Sequence, residues 1–172
     1  LNVNRYTKTL IHPSKWNDMI NDKNIKIVDT RNLYEVSIGK FKNSYSPNTK
    51  SFREFTDSFK KFNFEKDDKI ALYCTGGIRC EKATAFLKED GYKNIFQLEG
   101  GILNYLKFVN EQNQKLMWEG ECFVFDDRVS VDHKLKKGKY SQCYGCRHPL
   151  TIEDKKSKKY IKGVSCPFCS DT

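Results

Sequence analysis

Two groups of residues in this 172-residue chain have the types and spacing that chemistry needs. The first is "LYCTGGIRCEKA", residues 72–83, where an apolar run ends at Cys74 and is followed by Thr75, Gly76, Gly77, Ile78 and Arg79. Glycines let the backbone curl so that several N–H groups converge on one point. A helix beginning there adds partial positive charge, and Arg79 adds a full one. A thiol at the centre of such a loop gives up its proton readily, and the thiolate is the nucleophile. A plain tight turn needs neither converging donors nor an arginine. The second group is "CYGC" at 143–146 and "CPFC" at 166–169. Two C-x2-C pairs nineteen residues apart have the bite and spacing of a zinc ribbon, with Cys143, Cys146, Cys166 and Cys169 as the ligands. Four thiolates leave no position for water, so the ion's role is structural. His148, beside Cys146, is the alternative ligand.

Three further features bound these readings. Cys80 shares a helix face with Ala83, Thr84 and Leu87; it is either a resolving thiol for an oxidised or persulfidated Cys74 or a packed, inert side chain. Cys122, inside "ECFVF", reads as core. The three histidines, His12, His133 and His148, are scattered, so no two-histidine, one-carboxylate iron site is visible, and "CTGGIRC" lacks the spaced glycines of a dinucleotide fingerprint.

The elements that must position these groups alternate. "HPSKWNDMINDK" reads as a helix with Ser14 as N-cap, and "IKIVDT" (25–30) as a short buried strand. "SFREFTDSFKKF" repeats Phe at 52, 55, 59 and 62 with a helical period, and "KIALYC" (69–74) is a second strand. A helix over "EKATAFLKEDGY" ends at Gly91, "NIFQLEGG" is a third strand with a glycine turn, and "ILNYLKFVNEQ" is another helix. The pattern implies an α/β fold with a parallel sheet and helices on both faces. Ligands bind such sheets beyond the carboxyl ends of the strands, where Cys74 falls. After about residue 112 the alternation stops: "WEGECFVFDDRVSV" reads as one strand or an extended arm, and "DHKLKKGKY" as a basic linker. The last thirty or so residues are too polar to fold on an apolar core, and the four cysteines offer a metal staple.

Composition points the same way. At 38% hydrophobic and 13% aromatic residues the chain is globular rather than disordered, and its apolar runs fall far short of the roughly 20 residues that span a bilayer. No secretory pattern opens it, so cysteines in C-x2-C pairs favour metal over disulfides and a cytoplasmic, reducing location without membrane contact. The chain opens on Leu1 rather than Met and reads as part of a longer protein. Of the +9 net charge, residues 134–172 carry ten basic and three acidic side chains, whereas the first 133 residues carry 21 and 19. A localised basic end suits nucleic acid. Four thiolates on zinc would lower its +7 to about +5. Oligomeric state is unmarked.

"DTRNLYEVSIGKF", "YCTGGIRCEKA" and "LEGGI" together resemble a rhodanese domain over about residues 8–112. The resemblance implies a rhodanese-like parallel sheet and a persulfide-forming cysteine at Cys74, held by Thr75, Gly76, Gly77, Ile78 and Arg79. It matches Asp29, Arg31 and Glu35 to the family's acidic and basic positions, with a buried Arg31–Glu35 pair expected to orient the loops. Gly39, Lys40 and Phe41 stand where the family often has Gly-His-Ile, so no histidine is assigned there. The Cys74 loop is tighter than that of dual-specificity phosphatases, which disfavours phosphate. Adding "SFREF", "GECFVFDDRV" and "CYGCRHPL…GVSCP", the whole pattern looks like the rhodanese-containing tRNA uridine hydroxylases. That likeness implies oxygen-dependent formation of 5-hydroxyuridine at the wobble position (34) of tRNA, with molecular oxygen as co-substrate and tRNA as partner. The family's extra N-terminal α+β domain lies outside this sequence. The expected organisation is a linker over 1–12, a rhodanese domain over 13–112, a connecting arm over 113–138 and a small zinc-ribbon-like, four-cysteine segment over 139–172. A plain sulfurtransferase and a non-catalytic binding module are the alternatives.

Overall fold

A computed structural model describes residues 9–170; the first eight residues of the expected linker lie outside the described residues. Leu10–Ile11 form an edge strand (β1), so the chain enters the sheet before residue 13. Helix α1, Pro13–Asn21, is capped by His12 and not by Ser14: the His12 Nδ1 accepts from the Ser14 N–H at 3.1 Å, and Pro13 takes the first helical position, where a missing N–H costs nothing. Next come β2 (Ile25–Asp29), a one-turn helix α2 (Leu33–Val36), β3 (Gly39–Phe41) and β4 (Ser44–Tyr45). The periodic Phe segment splits into a 3-10 turn, Phe52–Glu54, and α3, Phe55–Lys60. Then follow β5 (Lys69–Tyr73), α4 (Ile78–Glu89), β6 (Asn94–Leu98) and α5 (Gly101–Gln112).

Five strands form one parallel sheet in the order β1-β6-β5-β2-β4. The central strands are buried on both faces and mostly apolar, with Asp29 and Gln97 as buried polar exceptions near their carboxyl ends. One face packs Trp16, Met19 and Ile20 of α1 against Ile102, Tyr105 and Leu106 of α5. The other packs Phe55 and Phe59 of α3 against Cys80, Ala83 and Leu87 of α4. Helices thus cover both faces, as the alternation requires.

The region after α5 is not one strand. Trp118–Gly120 (β7) turns back and pairs antiparallel with β3, while Cys122–Phe123 (β8) and Ser130–Val131 (β9) make a separate hairpin. Met117, Trp118, Cys122 and Val131 are buried in the same core cluster as α1 and α5. This arm therefore covers core surface that α1 and α5 leave open. The chain closes with β10 (Ser141–Gln142), β11 (Pro149–Leu150) and α6 (Ile152–Lys155) around the cysteines. No helix of the described residues is long and apolar enough to cross a membrane.

Candidate functional site

Cys74 follows β5 directly, at the carboxyl end of a central strand, and three residues later Gly77 begins α4 from a left-handed conformation (φ +103°). Only glycine adopts that conformation cheaply, and it swings the Gly77 N–H onto the Cys74 Sγ at 3.0 Å. A second helix start meets the same loop. The Ile102 N–H donates to the Cys74 carbonyl at 2.9 Å and the Leu103 N–H to the Thr75 carbonyl at 3.2 Å. A Cβ on Gly101 would lie 2.6 Å from the Cys74 carbonyl oxygen, which explains the glycine pair in "LEGGI".

The sulfur is prepared as an anion. The Cys74 pKa is lowered from an ordinary 9.0 to about 6, first by the hydrogen bond from the Cys80 thiol, then by the N–H groups of Cys80 and Gly77 and the charge of Arg79; burial opposes them. Cys80 moves the other way: burial and the facing sulfur push its thiol well up, so it remains a proton donor. Thr30 steadies it, with Oγ1 donating to the Tyr73 carbonyl at 3.0 Å and lying 3.8 Å from the Cys80 Sγ. The packed face expected of Cys80 is present, but the thiol on it acts on Cys74. Replacing it, Cys80→Ala, is expected to raise the midpoint of Cys74 alkylation by about one pH unit or more, read from iodoacetamide rates against pH. An unchanged midpoint would remove Cys80 from the device.

Two expectations about charge are corrected. Arg31 does not pair with the Glu35 carboxylate. Its Nε and Nη2 reach Asp29 at 3.0 and 2.8 Å and Nη2 also donates to the Gly39 carbonyl at 2.7 Å, all fully buried. Glu35 instead takes both nitrogens of Arg79, at 2.6 and 2.7 Å. Asp29, two residues before Arg31 in the chain, reaches the guanidinium without crossing a loop, whereas Glu35 faces α4. Arg79 therefore acts on Cys74 at a distance, with most of its charge met by a carboxylate. It also fixes the loop, because the Thr75 hydroxyl lies 3.4 Å from the guanidinium and 3.5 Å from the Glu35 carboxylate.

The sulfur is less open than its place at the sheet rim implies. Cys74 is 1% exposed, while Ile78 above it is 74% exposed and Gly76 has open space around it. Any reaction at Sγ therefore requires the loop around it to open. Phe125, on the tip of the β8–β9 hairpin, lays its ring 5.5 Å from the Arg79 guanidinium. Neither Phe125 nor Thr30 was marked by sequence as part of the site; Thr30 at least stands at a strand end inside "DTRN". Cys122 is wholly buried, with its thiol pushed up to about 12 by burial, as suits a core side chain.

At the other end, the Sγ atoms of Cys143, Cys146, Cys166 and Cys169 all lie within 4.8 Å of one another. Three of the separations are 3.9 Å (Cys143–Cys169), 3.6 Å (Cys146–Cys166) and 3.8 Å (Cys166–Cys169). A tetrahedral ion with Zn–S bonds of about 2.3 Å needs sulfurs about 3.8 Å apart. The cluster can therefore hold a metal ion such as zinc. The backbone supports anionic sulfur there, since the Cys166 N–H points at the Cys169 Sγ (3.3 Å) and the Phe168 N–H at the Cys166 Sγ (3.4 Å). His148 is not in the cluster; its ring stacks on Phe168 at 3.8 Å and its Nδ1 lies 2.7 Å from the Pro149 carbonyl.

The model of the rhodanese-like domain matches residues 12–107, more than half of the chain. This chain belongs to the rhodanese-like domain family. Solved structures are similar to this chain at low identity. A rhodanese-related protein from Thermoplasma volcanium is 28% identical over 58% of this chain and 92% of its own (TM-score 0.48). A rhodanese-like domain from an Anabaena protein is 16% identical over 66% and 80% (TM-score 0.53), and an uncharacterized Saccharomyces cerevisiae protein 19% identical over 64% and 99% (TM-score 0.51). Membership of this family is consistent with a catalytic-cysteine domain, and the arm and four-cysteine segment lie beyond the matched region.

Proposed function

We propose that this chain is the catalytic-cysteine and zinc-binding part of a cytoplasmic tRNA-modifying oxidoreductase that hydroxylates the wobble uridine, position 34, to 5-hydroxyuridine. The observation that carries the reading is the union, in one chain, of an anion-stabilised Cys74 and a basic four-cysteine segment in the motif order of the tRNA uridine hydroxylases. In this reading Cys74 is the reactive thiolate. Gly77 donates to it, Thr75, Gly76 and Ile78 shape the loop, Arg79 holds that loop through Glu35, and the Asp29–Arg31 pair anchors the strand end behind it. Zinc in the Cys143, Cys146, Cys166 and Cys169 cluster keeps the basic segment folded, and oxygen is the co-substrate. Nucleoside mass spectrometry of tRNA from a deletion strain tests it. The intact gene is expected to restore 5-hydroxyuridine and a Cys74→Ser version is not; equal restoration by both would take the thiolate out of the mechanism.

A second reading is favoured by the size of the loop. A thiolate held by the Gly77 and Cys80 N–H groups is suited to receive one sulfur: Cys74–S⁻ attacks the outer sulfur of thiosulfate, sulfite leaves with the S–S electron pair, and a persulfide remains on Cys74. The outer sulfur then passes to cyanide or a protein thiolate, which attacks it and returns the S–S electron pair to Cys74 as thiolate, while Cys80, kept protonated by burial, stays a hydrogen-bond donor to that sulfur. Intact-mass measurement after incubation with thiosulfate is expected to show a gain of one sulfur on the wild type and none on Cys74→Ser. No adduct with thiosulfate or any persulfide donor would count against this alternative.

A further inference from the structure

Two grooves meet where the β8–β9 hairpin packs beside the four-cysteine segment. One, of about 400 Å³, carries Lys137, Lys139, Lys155 and Lys162 on its walls, with Tyr144 at one end. The other, of about 230 Å³, shares Tyr144 and runs on to Arg147 and Phe125. Phe125 is the ring that covers Arg79 on the Cys74 loop. The two grooves therefore form one track that leads from a lysine-rich trough to the rim of the candidate active site.

Its chemistry is specific. Among the described residues, none of the four lysines is in an ion pair, and one of them, Lys155, donates to the Ser141 hydroxyl. Four exposed cations on one trough repel each other unless an anion lies between them. Tyr144 is 74% exposed and Phe125 64% exposed, so both spend large apolar faces in water although neither fills a core cluster. Of the nearby acids, Asp126 is already paired with Arg128 at 2.7 Å, and Asp127 lies on the rim of both grooves. Spaced cations along a trough with open aromatic faces beside it suit a polymer that carries one negative charge and one flat ring per unit. That polymer is single-stranded nucleic acid. A duplex hides its base faces and cannot use the two rings.

We propose that this track binds a single-stranded RNA segment, with Lys137, Lys139, Lys155 and Lys162 on phosphates and Tyr144 and Phe125 stacking bases on the approach to Cys74. The proposal rests on the tRNA reading above, of which it names the single-stranded part as the element held.

The test is fluorescence anisotropy on the full, metal-loaded chain, with a labelled twelve-nucleotide uridine-rich RNA and a duplex of equal length. The single strand is expected to bind more tightly. Each phosphate neutralised on a single strand contributes about 0.7 to the log–log salt slope, so four lysines give a slope near −3 and Lys139→Glu/Lys155→Glu brings it to about −1.5. Tyr144→Ala is expected to weaken binding about tenfold, the effect of one lost stacking partner. Both variants change exposed side chains, and unaltered metal content confirms that the segment is still folded. Equal affinity for the duplex, an unchanged slope in the lysine variant, or displacement of RNA by poly-glutamate at equal charge overturns the proposal. Because the readout is binding, single-strand affinity without 5-hydroxyuridine formation supports the track and counts only against the hydroxylase reading.

Discussion

Stripping the metal from the four-cysteine cluster is expected to unfold residues 139–170 while the rhodanese domain stays folded. The buried apolar content there is small: Leu150 with the Cys143 and Cys166 sulfurs, and Tyr160 and Cys169 packed partly against them. Two short strands and one turn of helix cannot offset the conformational entropy of some thirty residues, at about 1 to 2 kcal/mol each, with so little burial. A structural zinc site supplies about 10–16 kcal/mol at neutral pH, enough to decide the question. Hydrogen exchange should show the amides of β10, β11 and the two cysteine turns losing protection on chelation, with β2, β5 and β6 unaffected. Cys166→Ser should give the same pattern without a chelator, because Cys166 is fully buried and close to two of the other sulfurs. Protection that survives metal removal would mean that the segment has a source of stability absent from its packing.

Arg79→Ala should cost about 3 kcal/mol or more of stability. The Glu35 side chain is fully buried, and its carboxylate has Arg79 as its one cationic partner among the described residues, in a bidentate pair. Deleting the arginine leaves a buried, uncompensated charge, which typically costs about 3–5 kcal/mol. The Asn32 N–H, at 3.0 Å, is too small a compensation. Glu35→Gln should cost less, because the guanidinium it abandons is 22% exposed and can turn to water. The double variant Arg79→Ala/Glu35→Gln should recover most of the loss, so that urea denaturation of the four proteins gives a coupling energy of about 2 kcal/mol or more. Additive losses would show that the pair is not the reason Arg79 matters.

The sheet and the site differ in how far the sequence exposes them. The short, mostly apolar segments of β2, β5 and β6 and the helices between them are visible because strands buried on both faces favour consecutive apolar residues over strict alternation. The Cys74 loop is visible because glycines and a helix start leave few other conformations. The four metal-site cysteines are visible for a similar reason, since the bite of C-x2-C suits one ion. Pairings among like charges are hidden. Arg31 and Arg79 are both arginines, Asp29 and Glu35 both acids, and only the three-dimensional placement of Arg79 on α4 beside Glu35 on α2 decides which meets which. The arm also stays hidden, because Trp118, Cys122 and Val131 are single apolar residues in short strands and have no period to betray which face they bury. The docking of the start of α5 on the Cys74 loop is likewise a tertiary matter, one that "LEGGI" signals only once Gly101 is seen against the Cys74 carbonyl.

The acid strength of Cys74 is where all of this meets experiment. Because the thiolate is the reactive form and its pKa is lowered, reactivity should rise as pH passes through about 6 and be flat by pH 7.5. An ordinary thiol would still be rising at that point, with its midpoint near 8.5. The measurement is the rate of iodoacetamide modification of Cys74 between pH 4.5 and 10, followed by peptide mass spectrometry; slow access through the loop scales the whole curve and leaves its midpoint in place. A midpoint near 6 is the result expected here, and one near 8.5 or above contradicts the account.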